Sequence, residues 1–297
     1  MDKKISVVIN TLNEEEKIAR AIKSVSWADE VIVVDMRSED KTIEVATRLG
    51  AKVFSTERSS YVEPARNFAV SKASHDWVLV LDPDEEVGKE LAERLQELVA
   101  SEIVSDYVRV PRKNLIFSKW MKATGWWPDY NIRFFKKGSV EWSNKIHIPP
   151  KTKGQGLDLP AEEKYAITHH HYTSLSQYLQ RLDRYTTIQA KELLDDGYKF
   201  SWADLIHKPL SEFLSRYFAQ KGYEDGLHGL VMSLLQSFSF LIVYLKVWEQ
   251  EKFKEQDLSM KKLKGEVEKS RKELDYWFKY VNLSRNPFKK FVQKIIN

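Results

Sequence analysis

A regular alternation of strand-like and helix-like segments in the first hundred residues constrains the fold most. The strand-like runs are 5–10 (ISVVIN), 30–35 (EVIVVD), 51–55 (AKVFS) and 77–82 (WVLVLD), and the helix-like segments are 14–26, 39–50, 62–73 and 89–101. Strands that are apolar on both faces and alternate with amphipathic helices form parallel sheets covered on both sides. The pattern therefore predicts an α/β domain built on a mostly parallel sheet.

The rest of the chain changes character in two steps. Residues 106–150 are rich in aromatic side chains and broken by Pro and Gly, which is typical of short antiparallel strands and loops. A strand is then predicted at 164–171 and a helix at 175–194, and from about residue 202 the pattern is helical. We therefore expect one domain at 1–200 and a helical C-terminal region at 201–297.

The acidic cluster Asp82-Pro83-Asp84 directly follows the fourth strand. In open α/β sheets, ligands bind beyond the carboxyl ends of the strands. Two carboxylates at i and i+2 in an extended turn can converge on Mg²⁺ or Mn²⁺, which prefer carboxylate and phosphate oxygens. Such a metal would neutralise charge on a departing nucleoside diphosphate. The alternative is a solvated acidic turn before the next helix, whose N-terminus favours negative charge.

Other polar residues lie near the same predicted edge of the sheet. They are Thr11, Asn13 and Glu14 after the first strand, Asp35 at the end of the second, and Arg66 in the third helix. Asp35 can accept a hydrogen bond from a base N–H or a ribose hydroxyl, and Arg66 can reach a phosphate. Taken singly, each also fits a structural role, such as helix capping or a surface pair between Arg66 and Glu63. The chain has neither GxGxxG nor GxxxxGK[ST], which disfavours a dinucleotide fold and a P-loop.

Composition excludes several other classes of protein. The formal net charge is only +4, so a nucleic-acid partner is not indicated. There is no cysteine, which excludes disulfides, thiol catalysis and thiolate metal sites. The first residues show no apolar segment followed by a cleavage site, so we expect a cytoplasmic location or the cytoplasmic face of a membrane.

The strand-end motifs, taken together and in this order, resemble family 2 glycosyltransferases with the GT-A fold. The segments that carry the resemblance are SVVINTLNEEEKIARAIKSV, VIVVDMRSEDKT, ARNFAV and WVLVLDPDEEV. Later segments, including WWPDYNIRFFKKG and HHHYTSLSQYLQRLDRYTTIQA, are similar to a subgroup that includes bacterial lipopolysaccharide-core β-glucosyltransferases. The resemblance implies a catalytic domain with a nucleotide-sugar half at about 1–104 and an acceptor half at about 105–200.

The resemblance also implies an activity and a set of site residues. The activity is inverting transfer of a hexose from a nucleotide sugar, UDP-hexose, to a cell-surface glycan or glycolipid such as lipopolysaccharide core. The nucleoside pocket would be lined by Thr11, Asn13 and Glu14, with Asp35 on the uracil or ribose, Arg66 facing the diphosphate, and Asp82 and Asp84 holding the nucleotide ribose and the metal.

An inverting enzyme needs a general base near the acceptor hydroxyl, and Asp129 in Trp127-Pro128-Asp129 is the first choice. It lies in the acceptor half among aromatic residues that can stack on a sugar, and a carboxylate there can remove the acceptor proton. The alternative is a turn residue after a proline. Arg133 is a candidate partner for Asp129 or for an acceptor phosphate. Relatives carry His-Glu where this chain has His147-Ile148. The chain therefore lacks the carboxylate that could act as a base at that position, and His147 is a candidate acceptor ligand.

Three histidines, His169, His170 and His171, are adjacent. On a strand, His169 and His171 share one face. The resemblance implies that a histidine reaches the metal or the diphosphate from this side, which makes these two the candidates. The rival interpretations are a zinc site and histidines with no ligand. Adjacent residues cannot all chelate one ion well, and no second cluster of zinc ligands accompanies them.

Residues 227–248 form the most apolar segment. Their length would suffice for a membrane span of ~20 residues, but His228, Gln236 and Lys246 favour a buried or interfacial helix. The C-terminal FKKFVQKII suits peripheral contact with an anionic membrane, here the inner face of the plasma membrane. The alternative is a helical bundle or a homo-oligomer interface.

Two other functions stay open at this point. A sugar nucleotidyltransferase also uses acidic residues on an α/β sheet, but it needs a basic, Gly-rich loop near the first strand, where TLNEEEK is acidic. A nucleotide-sugar-binding scaffold with a degenerate site would bind the donor without turnover.

Overall fold

The computed structural model describes residues 4–59, 62–101, 105–143 and 149–284. It divides into two compact units. The first comprises Met1–Trp120 and Trp127–His171, and the second comprises Met121–Trp126 and Tyr172–Asn297. His147 and the C-terminal FKKFVQKII lie outside the described residues.

The first unit contains the predicted alternation of strands and helices. Its strands are β1 (Ile5–Thr11), β2 (Glu30–Asp35), β3 (Lys52–Ser55), β4 (Trp77–Leu81), β5 (Glu85–Glu86), β6 (Tyr107–Val110), β7 (Arg112–Ile116), β8 (Lys119–Trp120), β9 (Asn131–Lys136), β10 (Val140–Glu141), β11 (Lys151–Thr152), β12 (Gly156–Asp158) and β13 (Ile167–Tyr172). Its helices are α1 (Ile18–Ser24), α2 (Thr42–Arg48), α3 (Glu63–Lys72) and α4 (Lys89–Ala100).

The main sheet has seven strands in the order β12-β6-β9-β4-β1-β2-β3. The β4-β1-β2-β3 block is parallel, as is the β12-β6 pair, and β9 runs antiparallel to both β4 and β6. Along β1, Val7 and Ile9 pack with residues of α1 and α4, whereas Val8 packs with Ala69 of α3. The predicted α/β fold with a mostly parallel sheet, covered on both faces, is therefore confirmed.

The register of the parallel strands aligns their polar ends. Thr11 is the partner of Asp35, Asp35 is the partner of Ser55, and Ile9 is the partner of Leu81, the last residue of β4. Because parallel strands end at a common edge, the residues that follow them lie side by side. The fold thus places the acidic cluster after β4 next to the end of β1.

Helix α1 begins at Ile18, four residues later than the periodicity predicted. Residues at the predicted start bond instead to the loop before α2 and to the first residue of α2. The Asn13 amide donates to Ser38 Oγ at 2.8 Å, and the Glu14 amide donates to Thr42 Oγ1 at 2.8 Å. These two bonds satisfy amide groups that a longer helix would leave free at its N-terminus.

The second unit is helical, which confirms the predicted C-terminal helical region. Its helices are α5 (Leu175–Asp195), α6 (Asp204–Leu214), α7 (Gly226–Gln250) and α8 (Met260–Ser284). Ala190 of α5 packs in one core with Phe200, Tyr244 and Val247. This packing explains why the compact division falls at His171, earlier than the domain boundary predicted near residue 200.

Within the second unit, Asp225 anchors the segment 121–126. Its carboxylate is buried and accepts hydrogen bonds from the amides of Lys122, at 3.1 Å, and Ala123, at 2.8 Å. Thr124 donates its amide to the Gln220 carbonyl at 2.9 Å. These bonds attach the segment to the start of α7, although it is separated from α7 by about a hundred residues of sequence.

One stretch in the described part of the chain, Gly222–Gln250, is long and apolar enough to cross a membrane by length and composition alone. Core helices of soluble proteins pass the same criterion, but only 28% of its most apolar part is buried. Leu227, Leu234 and Phe238 are exposed along α7. This helix is therefore neither fully buried nor polar on its outer face.

At the start of β2, Glu30 is a buried carboxylate with a full set of donors. It accepts hydrogen bonds from Ser6 Oγ, from the amide and hydroxyl of Ser74, and from Lys52 Nζ at 2.6 Å. Burial alone would raise the pKa of Glu30, but the Lys52 ion pair and the hydrogen bonds from Ser74 and Ser6 lower it to about 2. The ionised carboxylate therefore stabilises the native state.

We predict that Glu30→Gln lowers the free energy of unfolding at pH 7 by on the order of 3 kcal/mol, because one pKa unit corresponds to about 1.4 kcal/mol. The contribution of a carboxylate with a lowered pKa is fully present above its ordinary value of 4.5 and is lost as the pH falls towards about 2. Urea unfolding should show that the difference in free energy of unfolding between variant and wild type narrows as the pH falls from 4.5 to about 2. Glu44→Gln, at an exposed pair with Arg48, is the control and should change little. A gap independent of pH would contradict the assignment.

Candidate active site

The acidic cluster after β4 is held by a strand pair. Glu85 begins β5, which pairs antiparallel with β13 so that Glu85 lies opposite His169. The His170 amide donates to the Asp84 carbonyl at 2.9 Å, and Asp84 and Glu85 are buried. The cluster is therefore an ordered, largely buried element, and the alternative of a solvated acidic turn does not apply.

Two arginines neutralise the carboxylates of this cluster. Arg133 Nη2 lies 2.6 Å from Asp82 Oδ2 and 2.6 Å from Glu85 Oε1, and Arg66 Nη2 lies 2.9 Å from Asp82 Oδ1. Burial alone would raise the pKa of Asp82, but the Arg133 and Arg66 guanidinium groups outweigh it and hold the pKa well below its ordinary value. Asp82 is therefore ionised at neutral pH, and its two oxygens face two cations.

These contacts revise two expectations about arginines. Arg66 pairs with Asp82 across the sheet edge instead of with Glu63 on its own helix. Arg133 binds Asp82 and Glu85 and not Asp129, because it projects from β9 towards the acidic turn. The side chain that holds Asp129 is Arg112, with Nε at 2.9 Å and Nη2 at 2.8 Å from Asp129 Oδ2.

The two carboxylate oxygens of Asp129 differ in how fully they are hydrogen-bonded. Oδ2 accepts from Arg112 and also from Asn114 Nδ2 at 2.7 Å, whereas Oδ1 has only Asn131 Nδ2 at 3.3 Å. The side chain is 25% exposed, and its backbone φ of +32° lies in a region that residues other than glycine rarely adopt. A carboxylate held by one oxygen with the other open is suited to accept a proton.

The three histidines lie on β13 with alternating orientation. His169 is buried, with Nδ1 2.7 Å from Asn114 Oδ1 and Nε2 3.5 Å from Asp84 Oδ1. His171 Nδ1 lies 3.3 Å from His169 Nε2, and His170 points the other way and pairs with Glu86. Asp84, His169 and His171 thus lie close together, and their role at a metal stays a prediction.

Among the residues that the structure describes, no group of three or more His, Asp or Glu side chains is arranged to hold a metal ion. This argues against a zinc site made of protein ligands alone, which takes three or four. Mg²⁺ is instead commonly held by one or two carboxylates together with substrate phosphates and water. The Asp84 carboxylate fits a site of that kind.

Unpaired acceptors mark the ends of β1 and β2. Asn10 Oδ1, Thr11 Oγ1 and Asp35 Oδ1 are buried and have no hydrogen-bond partner among the described residues. Asp35 uses only its other oxygen, which accepts from the Ser38 amide at 2.9 Å. Buried polar atoms without partners are rare and costly, so three at one sheet edge indicate a place for a polar ligand.

Asn13 and Glu14 are engaged with neighbouring loop groups. Asn13 Oδ1 accepts from the Glu39 amide at 2.8 Å, and Glu14 Oε2 pairs with Lys17 Nζ at 2.6 Å. Both residues therefore join the loops after β1 and β2. Their place in a nucleoside pocket stays a prediction.

The predicted residues on the phosphate and acceptor side belong to one connected network. It runs through Arg66, Asp82, Arg133, Glu85, Arg112, Asp129, Asn114 and His169 to Asp84 and His171. Sequence reasoning missed Arg112 and Asn114 and assigned no role to Glu85. Glu85 was visible as part of the acidic run. Arg112 and Asn114 carried no local signal, because their role depends on β7 lying beside β13.

We predict that Arg133→Met destabilises the protein by about 3–5 kcal/mol, because it leaves the buried Glu85 and the partly buried Asp82 without their shared cation. The matched control is Arg109→Met, which removes a pair with Asp158 whose side chains are 48% and 45% exposed. That exposed pair should contribute below about 1 kcal/mol. Urea unfolding of both variants measures the difference, and equal losses would show that the buried network does not bear on stability.

Comparison with known proteins identifies the family. Residues 6–153 match the family described as glycosyl transferase family 2. The chain is 33% identical over 257 residues to an uncharacterized glycosyltransferase of Rickettsia typhi, covering 83% of this chain and 87% of that protein. It is 24% identical over 262 residues to the lipopolysaccharide core biosynthesis glycosyltransferase LpsC of Rhizobium meliloti, covering 84% and 94%.

Solved structures are similar over parts of the chain or at low identity. Glucosyl-3-phosphoglycerate synthase from Mycobacterium tuberculosis, in complex with Mn²⁺, UDP and glucosyl-3-phosphoglycerate, is 29% identical, covers 36% of this chain and 43% of that chain, and has a TM-score of 0.32. TarS 1–349 of S. aureus is 16% identical, covers 86% and 94%, and has a TM-score of 0.41. The sequence match along most of its length shows that the chain belongs to glycosyl transferase family 2, as the strand-end motifs predicted.

Proposed function

We propose that this glycosyltransferase inverts the anomeric centre as it moves a hexose from UDP-hexose to a cell-surface glycan or glycolipid. The observation that carries the proposal is the continuous network between Asp82 and Asp84 at the donor side and Asp129 at the acceptor side. A group-transfer enzyme needs both ends in fixed geometry, since correct positioning of the reactants lowers much of the barrier.

The unpaired acceptors support a nucleotide donor at the sheet edge. Asp35 Oδ1 can only accept when ionised, and uracil offers an N3–H donor for such a group. Thr11 Oγ1 lies level with Asp35 in the register of the sheet and can donate to a carbonyl on the same base. A ribose hydroxyl is the other group that Asp35 would accept from. A uridine nucleotide therefore supplies partners for the buried atoms that lack them.

The donor set near Asp84 fits a divalent metal. A carboxylate suits Mg²⁺ and Mn²⁺, and an imidazole from His169 or His171 favours Mn²⁺ over Mg²⁺, which takes oxygen ligands. When bound, the metal would stabilise the negative charge of the leaving nucleoside diphosphate. Arg66 and Arg133 add positive charge beside Asp82, although each is already paired.

At the acceptor side, Asp129 takes the proton of the attacking hydroxyl. The new C1–O bond forms as the bond from C1 to the phosphate oxygen breaks, the proton passes to Asp129, and the nucleoside diphosphate leaves. Oδ1 is the receiving atom, because Oδ2 is occupied by Arg112 and Asn114. Attack opposite the leaving group inverts the anomeric centre.

The helical unit supports an acceptor held in a membrane at the cytoplasmic face. Leu227, Leu234 and Phe238 are exposed on α7, and the C-terminal sequence carries basic and aromatic residues together. The relative named for lipopolysaccharide core biosynthesis, at 24% identity, points to the same class of glycolipid. A homo-oligomer would cover the same apolar residues and is the competing assignment.

We predict that two carboxylate variants separate the two ends of the reaction. Asp84→Ala should lose Mn²⁺-dependent donor hydrolysis and transfer, because it removes the metal's carboxylate ligand. Asp129→Asn should lower transfer ~10²–10⁴-fold and leave UDP affinity nearly unchanged, because it removes only the base. A mass-spectrometric screen of nucleotide sugars and calorimetry with Mn²⁺ and UDP supply the measurements.

Turnover by the wild type decides between a glycosyltransferase and a nucleotide-sugar-binding scaffold. Donor binding without turnover on a broad panel of glycan acceptors would favour the binding scaffold. Full activity of Asp84→Ala would refute the metal assignment, and full activity of Asp129→Asn would refute the base.

We predict that the wild type sediments with vesicles that contain phosphatidylglycerol and less with vesicles of phosphatidylcholine alone. Leu234→Glu and Phe238→Glu should weaken this binding several-fold, since a charge on the apolar side opposes contact with the bilayer. The control is Ile43→Glu at an exposed apolar position of the first unit. Vesicle binding that Leu234→Glu leaves unchanged, or a dimer that Leu234→Glu dissociates, would favour a different surface or the homo-oligomer.

A further inference from the structure

Asn114 lies between the two functional ends of the network. It is on β7 and fully buried. Its Nδ2 is 2.7 Å from Asp129 Oδ2, and its Oδ1 is 2.7 Å from His169 Nδ1. A single amide thus contacts both the proposed base and a histidine beside the proposed metal ligands.

The chemistry of these partners determines which way each hydrogen bond runs. An ionised carboxylate only accepts, so the amide NH₂ of Asn114 faces Asp129 and donates to it. Its carbonyl oxygen therefore faces His169 and accepts. A neutral His169 then carries its proton on Nδ1, and its Nε2 keeps a lone pair.

The lone pair of His169 Nε2 faces the donor side of the site. Nε2 lies 3.5 Å from Asp84 Oδ1 and 3.3 Å from His171 Nδ1. Hydrogen bonds to the distal nitrogen of a ligating histidine fix its tautomer and ring orientation. Asn114 makes such a bond here, and β13 places His169 opposite Glu85.

We propose that Asn114 is a positioning residue for both ends of the transfer reaction. Its amide N–H holds the Asp129 carboxylate for the acceptor proton, and its carbonyl keeps His169 in the Nδ1–H tautomer with Nε2 directed towards Asp84. This assignment rests on the proposed function for its catalytic meaning, but the tautomer of the neutral imidazole follows from the hydrogen bonds alone.

Three variants separate the two contacts. Asn114→Leu has a similar volume and removes both bonds. Asn114→Asp keeps an acceptor for His169 and replaces the donor to Asp129 by a second carboxylate. The matched control is Asn131→Leu, because Asn131 donates to the Asp129 carbonyl and Oδ1 and has no bond to His169 among the described contacts.

The first measurement is the tautomer of His169 in the metal-free protein without nucleotide, at a pH where imidazole is neutral. Long-range ¹H–¹⁵N spectra report it, and the signal is assigned by its loss in His169→Gln. We expect Nδ1–H in the wild type, Asn114→Asp and Asn131→Leu, and a shift towards Nε2–H in Asn114→Leu. An Nε2–H form in the wild type, or no change in Asn114→Leu, would overturn the proposal. If Asn114→Leu does not fold, the His169 tautomers of the wild type and of Asn114→Asp test the proposal.

The second measurement is the pH profile of sugar transfer. The groups that face Asp129 are Arg112 and Asn114 from β7 and Asn131 from β9. A carboxylate at position 114 disfavours the ionised form of Asp129, so the acid limb of kcat should move up by about one pH unit in Asn114→Asp, with a smaller change in donor KM. An unmoved limb would refute the role of Asn114 at the base. Absence of transfer by the wild type, with the Nδ1–H tautomer observed, would refute the proposed function alone.

Discussion

The ion pairing of Arg133 with Asp82 and Glu85 is the interaction on which the rest of the site depends. Glu85 is completely buried, and an unpaired carboxylate in such a position would be strongly disfavoured. Burial alone would lower the pKa of Arg133, but the two carboxylates raise it, so the three charges stabilise one another. Glu85 Oε2 also accepts from the Asp82 amide at 2.9 Å, which closes the turn. Arg133 thereby fixes the backbone that presents Asp84.

The same contacts connect the two halves of the proposed reaction. Arg112 contacts both Glu85 and Asp129, so the carboxylate on the acceptor side is tied to the buried acid of the donor side. Networks in a low-dielectric surrounding strengthen their members, and they are costly to break at any single point. The proposed base and the proposed metal-binding turn are therefore held by one set of charges.

The small sheet β5-β13-β7-β8 is the architectural reason for this arrangement. Its strands come from three separate parts of the chain, and its central pair places His169 and Asn114 side by side. The large sheet supplies the aligned ends of β1, β2 and β4, and the small sheet supplies the histidines and the asparagine that face them. Each sheet alone would present only part of the proposed site.

The sequence by itself determined the α/β alternation and the placement of Thr11, Asp35 and Asp82 at strand ends. These features are local, since side-chain periodicity reports strand or helix and parallel strands share a carboxyl edge. The pattern also indicated a shared face for His169 and His171, because alternation along a strand is a local property.

Only the tertiary structure decided the partners of these residues. Arg133 pairs with Asp82 and Glu85, whereas Arg112 pairs with Asp129. Asn114 forms hydrogen bonds with both Asp129 and His169. These pairs lie between 15 and 55 residues apart in sequence. No local pattern specifies such pairs, because which strand lies beside β13 depends on how the whole chain packs.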